Sequence, residues 1–254
     1  MQDIPANDIR QLIRDKYGSL DRAREGALEE DRARLASGEP LAYVIGWVPF
    51  LGLRIDLSSR PLIPRPETEW WTSELLHDLG MRYGTRRFRL LDLCAGSGAI
   101  GLSVLAKFPN AEVAFGELEP AHTAAIKDSI ALNNLDASRA SVACGDLFAP
   151  FAEERFDVIA TNPPYVPDGR ALEPSVTDYE PASALYAGAD GLSLIRRIAA
   201  EAPRHLAPAG VLWMECDIEN IAEAQDLLPE GGAASAEIRN DQYGRPRVVV
   251  GYYP

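Results

Sequence analysis

The sequence predicts an α/β protein built on a largely parallel sheet, and three observations predict it. From residue 88 onward, short apolar runs alternate with helical patterns: strands are expected at 89–94, 111–117, 139–144, 155–161 and 209–216, with helices near 99–108, 120–133, 190–206 and 218–228. A strand followed by a helix and another strand is the connection that parallel neighbours require. The run Phe156-Asp157-Val158-Ile159-Ala160-Thr161 is apolar with little alternation, as befits a strand covered on both faces. Finally, 234–240 and 246–253 are separated by little more than Gln242-Tyr243-Gly244-Arg245, which leaves no room for a helix. Those two runs should form an antiparallel hairpin at a sheet edge.

Taken in order, residues 5–37 read as two short helices. Ile9, Leu12 and Ile13 share a face of the first, which Gly18 closes; Ser19 is placed to cap a second, heavily charged helix that ends at Gly38. So small a helical pair has little core of its own and should dock on the main domain or on a partner. Val44, Ile45, Trp47, Phe50, Leu53, Ile55 and Leu57 alternate enough for residues 41–63 to read as a β-hairpin. The resulting division is a helical segment over 1–40, a hairpin linker over 41–65 and the α/β domain over 66–254. The longest expected loop, 163–189, follows the buried run, and loops of that length usually carry function.

A chain of 254 residues can bury one sizeable core. Its net charge is −13, yet residues 1–65 carry ten acidic and ten basic side chains, so the whole excess falls on residues 66–254. Such a surface repels phosphate at long range and suits a basic protein partner better than bare nucleic acid. No stretch approaches the ~20 apolar residues of a membrane span, and no targeting segment opens the chain. Three widely spaced cysteines, Cys94, Cys144 and Cys216, with no Cys-x-x-Cys pair, point to a reduced, cytoplasmic protein. A monomer is expected. No metal-ligand spacing occurs, and His77, His122 and His205 fall on expected helices away from the site.

Two segments carry chemistry. Leu90 to Gly101 is a strand, a glycine turn and a helix start; Gly96, Gly98 and Gly101 satisfy G-x-G-x-x-G, and Glu117 ends the next strand about 20 residues on. Glycines let backbone approach a ligand, and a carboxylate at the second strand tip can hold two ribose hydroxyls. The same pattern also suits a plain tight turn, and it does not separate NAD from other adenosine ligands. Asp146, in Gly145-Asp146-Leu147-Phe148, could bond an adenine amine or cap a turn. The second segment is Asn162-Pro163-Pro164-Tyr165, directly behind the buried run. Pro163 holds Asn162 extended and neither proline donates a backbone hydrogen bond. The Asn162 side-chain oxygen and the Pro163 carbonyl are left as acceptors beside an aromatic ring, a match for a planar NH2 group of a carboxamide or a base.

Joined to Gly38-Glu39-Pro40-Leu41-Ala42-Tyr43-Val44-Ile45-Gly46, Leu62-Ile63-Pro64-Arg65-Pro66-Glu67-Thr68-Glu69, Tyr179-Glu180-Pro181-Ala182, Ala187-Gly188-Ala189-Asp190-Gly191-Leu192 and Gly244-Arg245-Pro246-Arg247-Val248-Val249-Val250-Gly251, these segments make the chain resemble the HemK/PrmC family of protein-glutamine methyltransferases. The resemblance covers residues 38–254. It implies the seven-stranded, Rossmann-like fold of methyltransferases that depend on S-adenosylmethionine, and a peptide chain release factor as partner, methylated on the glutamine of a Gly-Gly-Gln loop. By the same resemblance, Cys94, Ala95, Gly96, Ser97 and Gly98 wrap the methionine part of the cofactor, Glu117 takes the ribose, and Asp146 and Leu147 the adenine. Arg65, Pro66 and Thr68 line the cofactor pocket. Asn162 and Pro163 hold the glutamine amide, walled by Pro164 and Tyr165, and Asn162 also faces the cofactor.

Two departures stand out. The helical segment is shorter than the family's usual N-terminal domain, and Glu215-Cys216-Asp217-Ile218-Glu219 replaces a more usual glycine-containing turn after the fifth strand. Within related chemistry the alternatives are a ribosomal-protein glutamine methyltransferase and an adenine-amine methyltransferase acting on a flipped base. A NAD-dependent dehydrogenase would use the glycines and Glu117 but leave the tetrapeptide idle, and a cofactor-binding assembly protein would leave the site without a task.

Overall fold

A computed structural model describes residues 4–23 and 25–254. The chain runs through α1 (Ala6–Leu12), a π-helical turn (Ile13–Tyr17), α2 (Glu25–Ala36), α3 (Leu41–Ile45), β1 (Trp47–Phe50), β2 (Leu53–Asp56) and α4 (Pro66–Tyr83). It continues through β3 (Phe88–Leu93), α5 (Ala99–Lys107), β4 (Ala111–Glu117), α6 (Pro120–Leu132), β5 (Ala140–Cys144), β6 (Phe156–Thr161) and α7 (Pro174–Thr177). The last elements are α8 (Ser193–His205), β7 (Leu206–Glu215), α9 (Ile221–Glu230), β8 (Ser235–Asn240) and β9 (Pro246–Tyr252).

Seven strands form one sheet in the order β5-β4-β3-β6-β7-β9-β8. The first five are parallel to their neighbours, and β9 is antiparallel to both β7 and β8. The chain therefore winds outward from β3 to β5, returns to the centre at β6, and winds the other way. The crevice beyond the carboxyl ends of β3 and β6 lies where the winding reverses, the place where open α/β sheets bind ligands. Both faces of the sheet are covered. On one face Trp71, Leu75 and Leu79 of α4 join residues of α5 and α6 over the central strands; on the other, Ile195, Ile198 and Ala202 of α8 pack with Ile221, Ala224 and Leu228 of α9.

The N-terminal part differs from expectation in several details. Residues 41–45 are helical, so the hairpin is confined to β1 and β2. Pro40 at the N-cap with helix-permissive Leu41 and Ala42 behind it starts the turn, and Gly46 at φ 92° ends it. Ser19 makes no side-chain cap, and α2 begins at Glu25. The two helices do bury a small cluster of their own, Leu12 and Leu35 with Val44 and Ile45 of α3. The β1–β2 hairpin lies against α6, where the Ser129 hydroxyl accepts the Asp56 N–H at 2.9 Å and Asn133 bonds both the N–H and C=O of Arg54.

The 18-residue helix α4 has no counterpart among the expected elements. Its signals are Pro66 in the first turn, Glu67 and Glu69 beside it, and Trp71, Leu75 and Leu79 at four-residue spacing. The loop over 163–189 is shorter in irregular structure than expected: it holds α7, a 3-10 turn (Ala182–Ala184) and a bridge between Val166 and Tyr186.

Candidate active site

Strand register assembles the site. Leu93 pairs with Thr161 across β3 and β6, so the residues that follow, Cys94 and Asn162, leave the sheet side by side. Glu117 pairs with Cys144, which brings Glu117 beside Gly145 and Asp146. A cleft of about 950 Å3, counted to its open mouth, lies over these strand ends. Cys94, Ala95, Gly96, Ser97, Glu117, Asp146, Leu147, Asn162, Pro164 and Thr68 all line it.

The glycine turn is shaped by close packing as much as by the cleft. Gly98 stands at φ 78° as the N-cap of α5, and a Cβ there would meet Ile126 at 3.0 Å. At Gly101 a Cβ would come within 2.4 Å of the Phe115 ring, so only glycine lets α5 lie this close to the sheet. Cys94 also has a positive φ of 57°, a conformation that suits glycine better. Burial, reinforced by the charge of Glu117, pushes its thiol up to about 12, so it stays protonated at neutral pH.

Glu117 is buried at the end of β4, and its two oxygens accept the N–H groups of Gly96 at 2.7 Å and Glu119 at 2.9 Å. A carboxylate held from behind by backbone, with lone pairs left toward the cleft, can accept a pair of hydroxyls. Asp146 is differently engaged: its carboxylate forms a two-pronged ion pair with Arg197 of α8, at 2.7 and 3.2 Å. Behind the turn, Asp92 is fully buried; one oxygen accepts the Gly101 N–H at 2.8 Å and the other has no partner among the described residues.

At the end of β6, the Asn162 Nδ2 donates to the Thr68 hydroxyl at 3.3 Å. Thr68 donates in turn to Glu215 at 2.7 Å, and the same oxygen accepts the Trp71 indole N–H at 2.6 Å. The Tyr165 hydroxyl reaches the other Glu215 oxygen at 3.1 Å. Burial raises Glu215 above its ordinary range, opposed by the bonds from Trp71 and Thr68.

Several expected site residues stand elsewhere. Arg65 does not line the cleft; its guanidinium pairs with Glu180 at 2.6 Å, because Glu180 is nearly fully buried and needs a cation. Tyr165 also lies outside the lining, its ring packed into the cluster beneath the sheet by the pull of Glu215. Gly98, Pro163 and Pro66 adjoin the cleft without lining it. His122 departs the other way: it lines the cleft, with Nδ1 at 3.0 Å from the Ser59 hydroxyl, because α6 starts directly behind the tip of β4. Leu62, Ser183 and Leu194 complete the walls from three further segments. Leu62 opens one of the segments that carry the family resemblance, and Ser183 and Leu194 closely follow two others, but nothing local marks which side chains there meet the cleft. Among the described residues no group of His, Cys, Asp and Glu could hold a metal ion, and no helix is long and apolar enough to cross a membrane.

The cleft fits an adenosine-bearing sulfonium compound. It pairs a buried acidic strand tip with a glycine-turned helix start and an apolar floor at Leu147. Comparison with known proteins agrees. The methyltransferase small domain family matches residues 71–179. Release factor glutamine methyltransferase of Bordetella pertussis is 38% identical over 91% of this chain and 84% of its own length. The Geobacter sulfurreducens protein of the same name is 36% identical over 86% and 75%. A methyltransferase structure from Pyrococcus furiosus superposes with TM-score 0.58 at 18% identity, covering 88% of this chain and 98% of that one. A T. thermophilus 16S rRNA methyltransferase bound to AdoMet and guanosine gives 0.56 at 22% identity, over 82% and 50%. The two solved structures establish the fold.

Proposed function

We propose that this chain, which belongs to the family of release factor glutamine methyltransferases, transfers a methyl group from S-adenosylmethionine to the side-chain amide nitrogen of the glutamine in the Gly-Gly-Gln loop of a peptide chain release factor. It is an S-adenosylmethionine-dependent methyltransferase. The observation that carries the substrate assignment is the state of Asn162. Its NH2 is tied to Thr68, so its carbonyl oxygen is the atom free to accept, beside a Pro163 carbonyl whose own residue has no N–H.

An amide nitrogen is a weak nucleophile because its lone pair is delocalised into the carbonyl. When bound, the cofactor supplies an electrophilic methyl on a good leaving group. Cys94 to Ser97 and Glu117 would hold it at the strand tips, with Asp146 and Leu147 at the adenine end. The residues of the chain contribute alignment and electrostatics. Asn162 Oδ1 and the Pro163 carbonyl each accept one amide hydrogen, which fixes the nitrogen and favours the positive charge that builds on it. Positioning of this kind contributes up to ~7–11 kcal/mol in favourable systems. Pro164 walls the side of the cleft beside these two acceptors.

The reading is tested by methyl transfer from labelled S-adenosylmethionine to purified release factor, beside a version with the loop glutamine changed to alanine. Label on the intact factor alone is the expected result. Label on neither, with the donor still bound, redirects the search to another amide or to a base amine.

A further inference from the structure

We propose that Glu215 is a positioning residue for methyl transfer: through Thr68 it sets which way round the Asn162 amide stands. This rests on the reading above, in which Asn162 holds the target amide.

The argument is one of proton placement. Glu215 ends β7 with its side chain buried, and it accepts from every group that reaches it. It receives the indole N–H of Trp71, the hydroxyl of Tyr165 and the hydroxyl of Thr68. A threonine hydroxyl has one proton. Once that proton is committed to Glu215, Thr68 Oγ1 can offer Asn162 nothing but lone pairs. The Asn162 NH2 must then face Thr68, and Oδ1 must face away from it. The opposite amide orientation would set two acceptors against each other and present an NH2 to a substrate NH2. Glu215 thus imposes polarity on a residue it does not touch, and the same carboxylate anchors Tyr165, three residues beyond Asn162. The turn that departs from the family's usual glycine-containing form begins with this residue.

Two pairs of changes isolate the effect. Glu215→Gln keeps an oxygen for Trp71 and Thr68 and turns its NH2 to the Tyr165 hydroxyl, so the relay survives; Glu215→Met removes the acceptor, which lets the Thr68 proton turn toward Asn162 and the amide reverse. Thr68→Ser keeps the relay, whereas Thr68→Val removes it. At saturating donor, E215M and T68V should lose kcat by about 100-fold, as for displaced reacting groups, while E215Q and T68S retain activity. Donor affinity and KM for release factor should stay near the wild-type values in E215M. A kcat for E215M close to that of E215Q, equal activity of T68S and T68V, or a loss that follows donor affinity or melting temperature would each overturn the proposal.

A second readout does not depend on turnover. In protein labelled with 15N-asparagine, the Asn162 NH2 signal, identified by its absence from Asn162→Ala, should move to a free-amide position in T68V and shift in E215M. Unchanged signals in both sink the inference. If wild-type enzyme leaves the release factor unlabelled while these signals move as expected, the substrate assignment fails and the role of Glu215 stands.

Discussion

Arg65 and Glu180 lie 115 residues apart in the chain and meet as an ion pair of 2.6 Å over the rim of the cleft. The second Glu180 oxygen accepts the Ile63 N–H at 3.1 Å, so one buried carboxylate grips the strand of chain that carries Leu62 into the cleft wall. Two segments that look like separate motifs in the sequence, Leu62 to Glu69 and Tyr179 to Ala182, are the two halves of this clamp. A neighbouring bond, from the Tyr179 hydroxyl to the Ser37 carbonyl at 2.8 Å, ties the same loop to the end of α2.

Removing the cation should expose the weakness of the clamp. The Glu180 side chain is 1% exposed and that of Arg65 32%. Arg65→Ala should therefore destabilise by about 3 kcal/mol, the low end for breaking a buried pair, since water partly replaces the guanidinium. Denaturant unfolding checks this, and donor affinity should fall with it because Leu62 loosens. A stability within about 0.5 kcal/mol of wild type would show the pair to be a surface contact in effect.

Asn162→Ala should abolish most methyl transfer while leaving the fold and donor binding in place. A loss of at least about 100-fold in kcat is expected, the scale of one removed electrostatic partner. Asn162→Asp should be worse still. The Thr68 proton is already given to Glu215, so a carboxylate at 162 would face an acceptor, and the melting temperature should drop as well. An active Asn162→Ala variant would remove the tetrapeptide from the mechanism.

Asp92 makes a prediction about pH. Burial drives it well above the usual carboxylate range, against the pull of the Gly101 N–H, and the charge of Glu117 adds to the rise. The native chain thus holds a proton that the unfolded chain releases above about pH 4. Stability from this group is complete below that pH and declines as pH rises toward the elevated native value. Asp92→Asn should flatten the decline: relative to wild type, the variant gains stability as pH rises above about 4. Glu215, also raised, acts in the same sense and leaves part of the slope. Unfolding curves across that range test the sign, and parallel wild-type and variant profiles would refute it.

Alkylation should sort the three cysteines. Cys144 is exposed, whereas burial holds the Cys94 thiol up to about 12 and raises buried Cys216 further. Thiolate, not thiol, reacts. Brief iodoacetamide treatment at pH 8 should modify Cys144 first, as read by peptide mass, with activity retained. Early modification of Cys94 would mean that the strand tip is more open than its packing indicates.

The alternation of strands and helices was legible from residue 88 on because each element advertises itself locally, through apolar runs of the right length and the glycines between them. The glycine turn, Glu117 and Asn162 were legible for the same reason. The helix α4 was not, although Pro66, Glu67 and Glu69 form a start signal, because they follow the hairpin linker with no break between. Nor was the place of His122 on the cleft wall, since nothing in a helical pattern says which end of the helix meets a cleft.

By itself the sequence determined the order of elements from residue 88 on and which strand tips meet at the carboxyl edge of the sheet, both consequences of short-range patterns and of where parallel strands end. Tertiary structure alone decided the pairings: Arg65 to Glu180 instead of to the cleft lining, Asp146 to Arg197, and Asn162 through Thr68 to Glu215. These contacts join residues from 51 to 147 positions apart. Their partners are chosen by strand register and by the need of each buried charge for a donor, and neither is written in the spacing of residues along a chain.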